Sequence, residues 1–456
     1  MDLNTLQDYY KKHEKEAIDD YFTFLRFPSV SSEPQYKTHI ESCAQWVVNY
    51  LNKMGFDTQV WPTSRHPVIF ASNLKAGPTK PTLLIYNHYD VQPVDPVEEW
   101  KSPPFEPTVR EGQVYARGAQ DNKGQCFYTL YAMKALMDIN GNLPINVKFC
   151  IEGEEECGSL GLSEILPKKK KELRADYLAI VDMGMRHAHA PAVTLGVRGI
   201  VTMDVEVKGT KTDLHSGSHG GVAYNPLHAL IEILSKLRDK KGRIKIPGFY
   251  STVQELEPEE KSRINFDFKE DEYISLFGSK PTGGEKGFSP MERAWTRPTI
   301  EINGIAGGYS GDGFKTVIPA KAIAKLSCRL VPNQNPEKIA KRVAKFIERR
   351  APDGVEVKVH IHEGGGKAVR ANPASKVVQA FSKAYQEVYN TPCAFTYSGG
   401  SIPIIQQLSD TSQSEVVLMG LGLPDDQIHA PNEHFGLDRI EKGFLIIART
   451  LEILSN

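Results

Sequence analysis

No stretch of the 456-residue chain approaches the roughly 18 uninterrupted apolar residues of a membrane-spanning helix. The opening Met1-Asp2-Leu3-Asn4 leads into Lys11-Lys12-His13-Glu14-Lys15-Glu16, without the apolar core of a secretory signal. Cysteine is scarce: the six at positions 43, 126, 150, 157, 328 and 393 never fall in Cys-x-x-Cys spacing, which argues against a disulfide framework and against thiolate metal sites. Neither sign of charge is in excess, with 55 Lys and Arg against 56 Asp and Glu, so there is no electrostatic footprint for nucleic acid or an anionic membrane. Internal repeats and low-complexity linkers are also missing. A reduced, cytoplasmic protein acting on a small molecule or peptide is the expectation.

The length exceeds that at which a single core stops growing, so two domains are expected. Apolar residues at helical spacing predict helices over 4–26 and 37–54. Apolar runs at Thr82–Tyr86, Ile145–Ile151 and Tyr177–Val181 predict strands, with a helix over 123–138 between them. Strands alternating with helices imply an α/β layer with a mostly parallel sheet. Polar residues recur where these strands end, and in open α/β sheets ligands bind at that edge. After Gly199 the texture changes: Val201–Val207 and Val355–Ile361 alternate, as strands with one solvated face do. Helices are expected at 225–239, 336–350, 373–389 and 438–454, and 248–296 reads as irregular. The simplest partition is a discontinuous α/β domain (1–193 and 367–456) interrupted by an α+β insertion (194–366).

Five islands rich in His, Asp and Glu stand out: His88-Tyr89-Asp90, Arg117 to Gly124 around Asp121, Glu152 to Ser159, Asp182, and His429-Ala430-Pro431-Asn432-Glu433. Imidazole with carboxylate suits zinc or a similar divalent ion. In an extended segment His88 and Asp90 share a face, so Asp90 can orient the second ring nitrogen of His88. Asp121 lies between Gly118 and Gly124, where a permissive backbone lets a carboxylate project into a crowded site. The consecutive acids at 154–156 would repel one another unless a cation neutralised them. Adjacent Glu155 and Glu156 can divide the labour of metal-assisted hydrolysis, one binding metal while the other moves the proton of the attacking water. Each island alone admits a plainer reading: a structural histidine at 88, a helix-capping aspartate at 121, a solvated acidic loop, a lone loop histidine at 429. His187-x-His189 reads as a connector, His360-x-His362 as a solvated strand edge, and Lys168–Lys171 as an exposed helix face.

Taken in order, the islands resemble the dinuclear metallopeptidases that include carnosinase, the cytosolic nonspecific dipeptidase, carboxypeptidase G and the aminoacylases, the carnosinase-like branch above all. The likeness runs through His88-Tyr89-Asp90-Val91-Gln92-Pro93, the 117–124 and 152–159 segments, Asp213-Leu214-His215-Ser216-Gly217, Lys315-Thr316-Val317-Ile318-Pro319, Arg329-Leu330-Val331-Pro332 and Gly399-Gly400-Ser401-Ile402-Pro403. It implies that Asp121 bridges two metals, with His88 and Asp182 completing one site and Glu156 and His429 the other. It implies that Glu155 is the general base and that His215 reaches the partner subunit's active site to polarise the scissile carbonyl. Arg329 would clamp a substrate carboxylate, with Thr316, Ser401 and backbone near Gly400 lining the same pocket. A cis peptide between Asp121 and Asn122, two zinc ions per subunit (manganese or cobalt as alternatives), and a homodimer paired through the inserted lid domain are further implications. One departure is visible: related dipeptidases tend to carry Arg-Glu where Tyr397-Ser398 stands here, which bears on the substrate end rather than on the metals.

The resulting expectation is an amidohydrolase for dipeptides or short peptides with a free carboxylate, in which Glu155 activates a metal-bridging water. An N-acyl or N-succinyl amino acid deacylase on the same scaffold is the enzymatic alternative. A silent binding protein is the other, and its signature would be a missing ligand or base. None is missing.

Overall fold

The computed structural model describes residues 2–456 and separates into two compact units, one of 2–195, 371–396 and 404–456, the other of 196–370 and 397–403. Residues 397–403, expected with the catalytic portion, cluster with the second unit, to which Arg198 ties them through Gly399 and Gly400. Among the described residues no helix is long and apolar enough to cross a membrane.

The first unit is built on a twisted sheet in the order Asp57–Trp61, Val68–Asn73, Asn146–Glu152, Thr82–His88, Tyr177–Val181, Glu415–Met419, Ala192–Val197. Its middle is parallel: Thr82–His88 pairs with both Asn146–Glu152 and Tyr177–Val181, and Glu415–Met419 with Tyr177–Val181. The central strands are buried almost throughout, which is why they read as continuous apolar runs rather than alternations. The register sets His88 opposite Glu152, and Asp182 directly follows Val181, so the polar residues gather at one carboxyl edge.

Helices cover this sheet. Leu3–Leu25 begins where the Asp2 side chain accepts from the Thr5 amide at 2.9 Å, and it buries Leu6, Tyr10, Ala17, Tyr21, Phe24 and Leu25 on one stripe. Lys123–Asn140 is buried on nearly every side and stops at Gly141, whose φ of 71° is a left-handed helix end. Near its start Gly124 admits no side chain, because a Cβ there would lie 2.1 Å from the Ala119 carbonyl oxygen.

The second unit is an antiparallel sheet, Thr299–Gly307, Lys321–Leu330, Gly199–Lys208, Glu356–Ile361, with helices Pro226–Ser235 and Pro336–Glu348 packed against it. Val201, Met203, Val205 and Val207 alternate into this core and meet Leu326, Cys328, Leu230, Ile233, Val343 and Ile347. Two expectations change here. The helix expected to 239 ends at Ser235, beyond which the chain turns and Arg238 bridges Ile244. The segment 248–296 is not wholly irregular but holds three short helices, Pro258–Ser262, Glu270–Phe277 and Pro290–Trp295, the last started by a Ser289–Glu292 capping box.

Candidate two-metal centre

His88 closes its strand fully buried. Its Nδ1 lies 3.1 Å from the Asp90 carbonyl oxygen and 3.3 Å from Asp90 Oδ1, which leaves Nε2 facing Asp121 Oδ1 at 3.2 Å and Asp182 Oδ1 at 3.8 Å. Asp90 has a second task that its spacing did not reveal. Its two carboxylate oxygens accept the backbone amides of Glu155 and Glu156 at 3.2 and 3.1 Å, pinning the acidic turn beside the histidine.

Asp121 occupies the centre. While Oδ1 faces His88, Oδ2 lies 2.9 Å from His429 Nε2, which in turn is 3.3 Å from Glu156 Oε2. The bond from Asp121 to Asn122 is cis, as the resemblance implies. Asn122, which sequence reasoning passed over, donates through Nδ2 to Asp182 Oδ1 at 2.7 Å and accepts from Asn87 Nδ2 at 2.9 Å, so it orients Asp182 from within the sheet edge. Gln92, also missed, donates to Glu156 Oε2 at 2.8 Å. For Asn122 the available signal was its place beside Asp121, and for Gln92 its place in the His88–Pro93 run.

The acidic cluster sorts itself by partner. Glu152 accepts from Tyr86 and Ser159, and Glu154 accepts the Gly161 amide at 3.0 Å with Arg65 nearby. Glu155 and Glu156 remain to face the centre. Burial above all pushes the Glu155 carboxyl well above its ordinary range, with Asp182, Glu156 and Asp121 adding to the rise and His88 opposing it. Burial likewise carries Glu156 up to about 7, helped by Asp121. Burial works against a charged His88, but the facing carboxylates of Asp121, Asp182 and Asp90 outweigh it and raise its pKa well above the usual value. His429 is raised to about 10, first by Asp121 and then by Glu156.

These residues fit two divalent cations. His88 with Asp121 and Asp182, and His429 with Asp121 and Glu156, form two triads whose nitrogen and oxygen ligand atoms each lie within 4.8 Å of one another. Two ligand-type atoms of the triad residues, His88 Nε2 and Glu156 Oε1, are buried without a hydrogen-bond partner. Crowded carboxylates that hold onto protons and a buried imidazole nitrogen left unbonded are what a cation pair would relieve. Among the described residues no other group of three such side chains converges; His187, His189, His360 and His362 enter neither triad.

The remaining expected site residues lie in the second unit, in two groups. His215, exposed, pairs across a short ladder with Val317; its Nδ1 accepts the Gly217 amide at 3.0 Å, and its Nε2 lies 3.4 Å from Thr316 Oγ1. That acceptor role assigns the neutral ring's proton to Nε2. Arg329 donates from Nη1 to Ser401 Oγ at 2.8 Å. Beside them Arg198, unnoticed in the sequence, donates from Nε to the Gly399 carbonyl at 3.0 Å and braces the Gly399-Gly400-Ser401 turn.

The chain is similar to known metallopeptidases along most of its length. A Cys-Gly metallodipeptidase, dug1, of Schizosaccharomyces pombe is 30% identical over 471 residues, covering 100% of this chain and 99% of that protein. The human Beta-Ala-His dipeptidase is 34% identical over 382 residues, covering 80% of this chain and 73% of its own. Among solved structures, the M20 family metallo-carboxypeptidase Sso-CP2 from Sulfolobus solfataricus superposes with a TM-score of 0.86 at 34% identity, over 96% of this chain and 99% of that one. The model of peptidase family M20/M25/M40 matches residues 84–453, and the chain belongs to that family.

Proposed function

We propose that the chain is a dinuclear metallodipeptidase that cleaves the amide bond of dipeptides or short peptides ending in a free carboxylate. The observation that carries this reading is Asp121, whose two oxygens face different histidines and so belong to both triads. His88, Asp121 and Asp182 would hold one cation; Asp121, Glu156 and His429 the other. Zinc is the first candidate, with manganese and cobalt accepting the same ligands. Two such cations, when bound, polarise an amide carbonyl and bring the pKa of water towards neutrality.

The chain's own residues do the rest. Glu155 accepts a proton from the attacking water and delivers it to the departing nitrogen as the C–N bond breaks and a new carboxyl C–O bond forms. Asp90 holds His88 and the 155–156 turn in register. Arg329, steadied by Ser401 and the turn at Gly400, offers its planar fork to the substrate carboxylate. His215, its proton on Nε2 beside Thr316, is suited to donate to the scissile carbonyl oxygen of the partner subunit's substrate.

Homodimerisation through the inserted unit is supported by Thr299–Gly307, an edge strand with Ile302 and Ile305 exposed, near the exposed Ile231 of Pro226–Ser235. A second copy about a two-fold axis would cover this edge with its own. The six free cysteines fit a reducing, cytoplasmic setting. The test is turnover of a dipeptide panel against matched N-acyl amino acids by metal-free enzyme reloaded with each ion. Faster hydrolysis of dipeptides is expected; a preference for N-acyl amino acids would make the chain a deacylase on the same scaffold.

A further inference from the structure

Glu433 has no task in the reaction just described, yet its carboxylate is fully buried and accepts four hydrogen bonds. Oε2 takes the Gly118 amide and Arg117 Nη1, both at 2.8 Å. Oε1 takes the amides of Gln120 at 2.9 Å and Asp121 at 3.0 Å. Three of the four donors are therefore backbone N–H groups of the loop that ends on Asp121. The fourth is a buried guanidinium held in place by the Pro93 carbonyl at 2.8 Å. The main chain answers in kind, since the Glu433 carbonyl accepts the Ala116 amide at 3.1 Å.

On its other side Glu433 follows His429 through a turn in which His429 and Asn432 both have positive φ, 60° and 65°. Asn432 anchors that turn, its Oδ1 accepting the Lys101 amide and its Nδ2 donating to the Glu99 carbonyl. Residue 433 is thus where the loop bearing His429 is fastened to the loop bearing Asp121, although the two are far apart in the chain.

We infer that Glu433 is a positioning residue of the metal centre: by docking the 429–433 turn onto the 116–121 loop it fixes Asp121 so that one oxygen meets His88 and the other His429. The inference rests on the two-metal reading of these residues. A charged acceptor is required. Glutamine replaces one oxygen with an NH2 group that would confront either two amides or an amide and a guanidinium, whereas aspartate keeps the charge but is one methylene too short to reach all four donors.

The test is a zinc titration of metal-free protein, against a competing chelator, for wild type, Glu433→Gln, Glu433→Asp and Phe444→Leu, with a melting curve of each metal-free form. Phe444 lies in the core of Leu437–Leu454, outside both loops, and controls for loss of stability alone. Wild type should bind two ions. Both Glu433 variants should bind both ions roughly 10–100-fold more weakly, because Asp121 is common to the two triads, while Phe444→Leu lowers the melting temperature and leaves zinc affinity unchanged. Folded Glu433 variants with wild-type affinity at both sites would overturn the inference, as would failure of both to fold, since Glu433 would then serve the fold at large. Fewer than two ions on wild type would instead refute the two-metal reading on which the inference stands.

Discussion

Replacing Glu155 with glutamine keeps the size and the polarity of the side chain and removes only its ability to take a proton. Glu155 has no hydrogen-bonding task comparable to that of its neighbours: Glu152 is occupied by Tyr86 and Ser159, Glu154 by the Gly161 amide, and Glu156 by His429 and Gln92. The substitution should therefore leave fold and metal content intact and fall on the chemical step. Loss of a general base lowers rates about 10²–10⁴-fold, which is roughly 3–5 kcal/mol of barrier at about 1.36 kcal/mol per decade. Glu154→Gln is the matched control. Its amide oxygen can still accept from Gly161, and the contact it loses, to an Arg65 side chain that is 50% exposed, contributes about 0–1 kcal/mol to stability. The assay is kcat on a saturating dipeptide, read by release of free amino acid, with metal content measured on the same samples. An active Glu155→Gln beside an inactive Glu154→Gln would put the base one residue earlier. If both stayed active, neither Glu154 nor Glu155 would be the base.

Arg329→Met should raise KM for a dipeptide by about 10–150-fold, the equivalent of a charged hydrogen bond of roughly 1.5–3 kcal/mol, and should scarcely affect a dipeptide amide that has no carboxylate to clamp. Equal losses on both substrates would remove Arg329 from that role. His215→Ala and Glu155→Gln should each be nearly inactive alone, yet mixing them under proven subunit exchange should restore about a quarter of wild-type activity, since half the dimers are hybrids and each hybrid keeps one intact site. No recovery would mean that His215 acts within its own chain or not at all.

The parallel core of the first unit was legible because Thr82–His88, Asn146–Glu152 and Tyr177–Val181 are buried on both faces and read as unbroken apolar runs. Asp57–Trp61, which pairs at the sheet's edge, was not. Four of its five residues retain some exposure, so neither an apolar run nor an alternation marks it. The three helices within 248–296 span five to eight residues, shorter than the window of about 11–18 residues over which helical periodicity can be recognised. The same contrast holds in the centre. His88, Asp121, Asp182 and His429 were visible as residue types at strand ends and on rigid loops. The hydrogen bonds that orient them, from Asn122 to Asp182, from Asp90 to the 155–156 turn and from the 116–121 loop to Glu433, join residues about 60 to more than 300 positions apart and leave no local pattern.

Whether one carboxylate, Asp121, belongs to both metal sites is decided by metal analysis of Asp121→Ala. Wild type dialysed against excess zinc and then desalted should retain two ions per chain. With Asp121→Ala, each triad loses a ligand and the repulsion between two neighbouring cations goes unshielded, so occupancy should fall at both sites together. Retention of two tightly held ions would contradict the bridging role, and loss of only one would assign Asp121 to a single site.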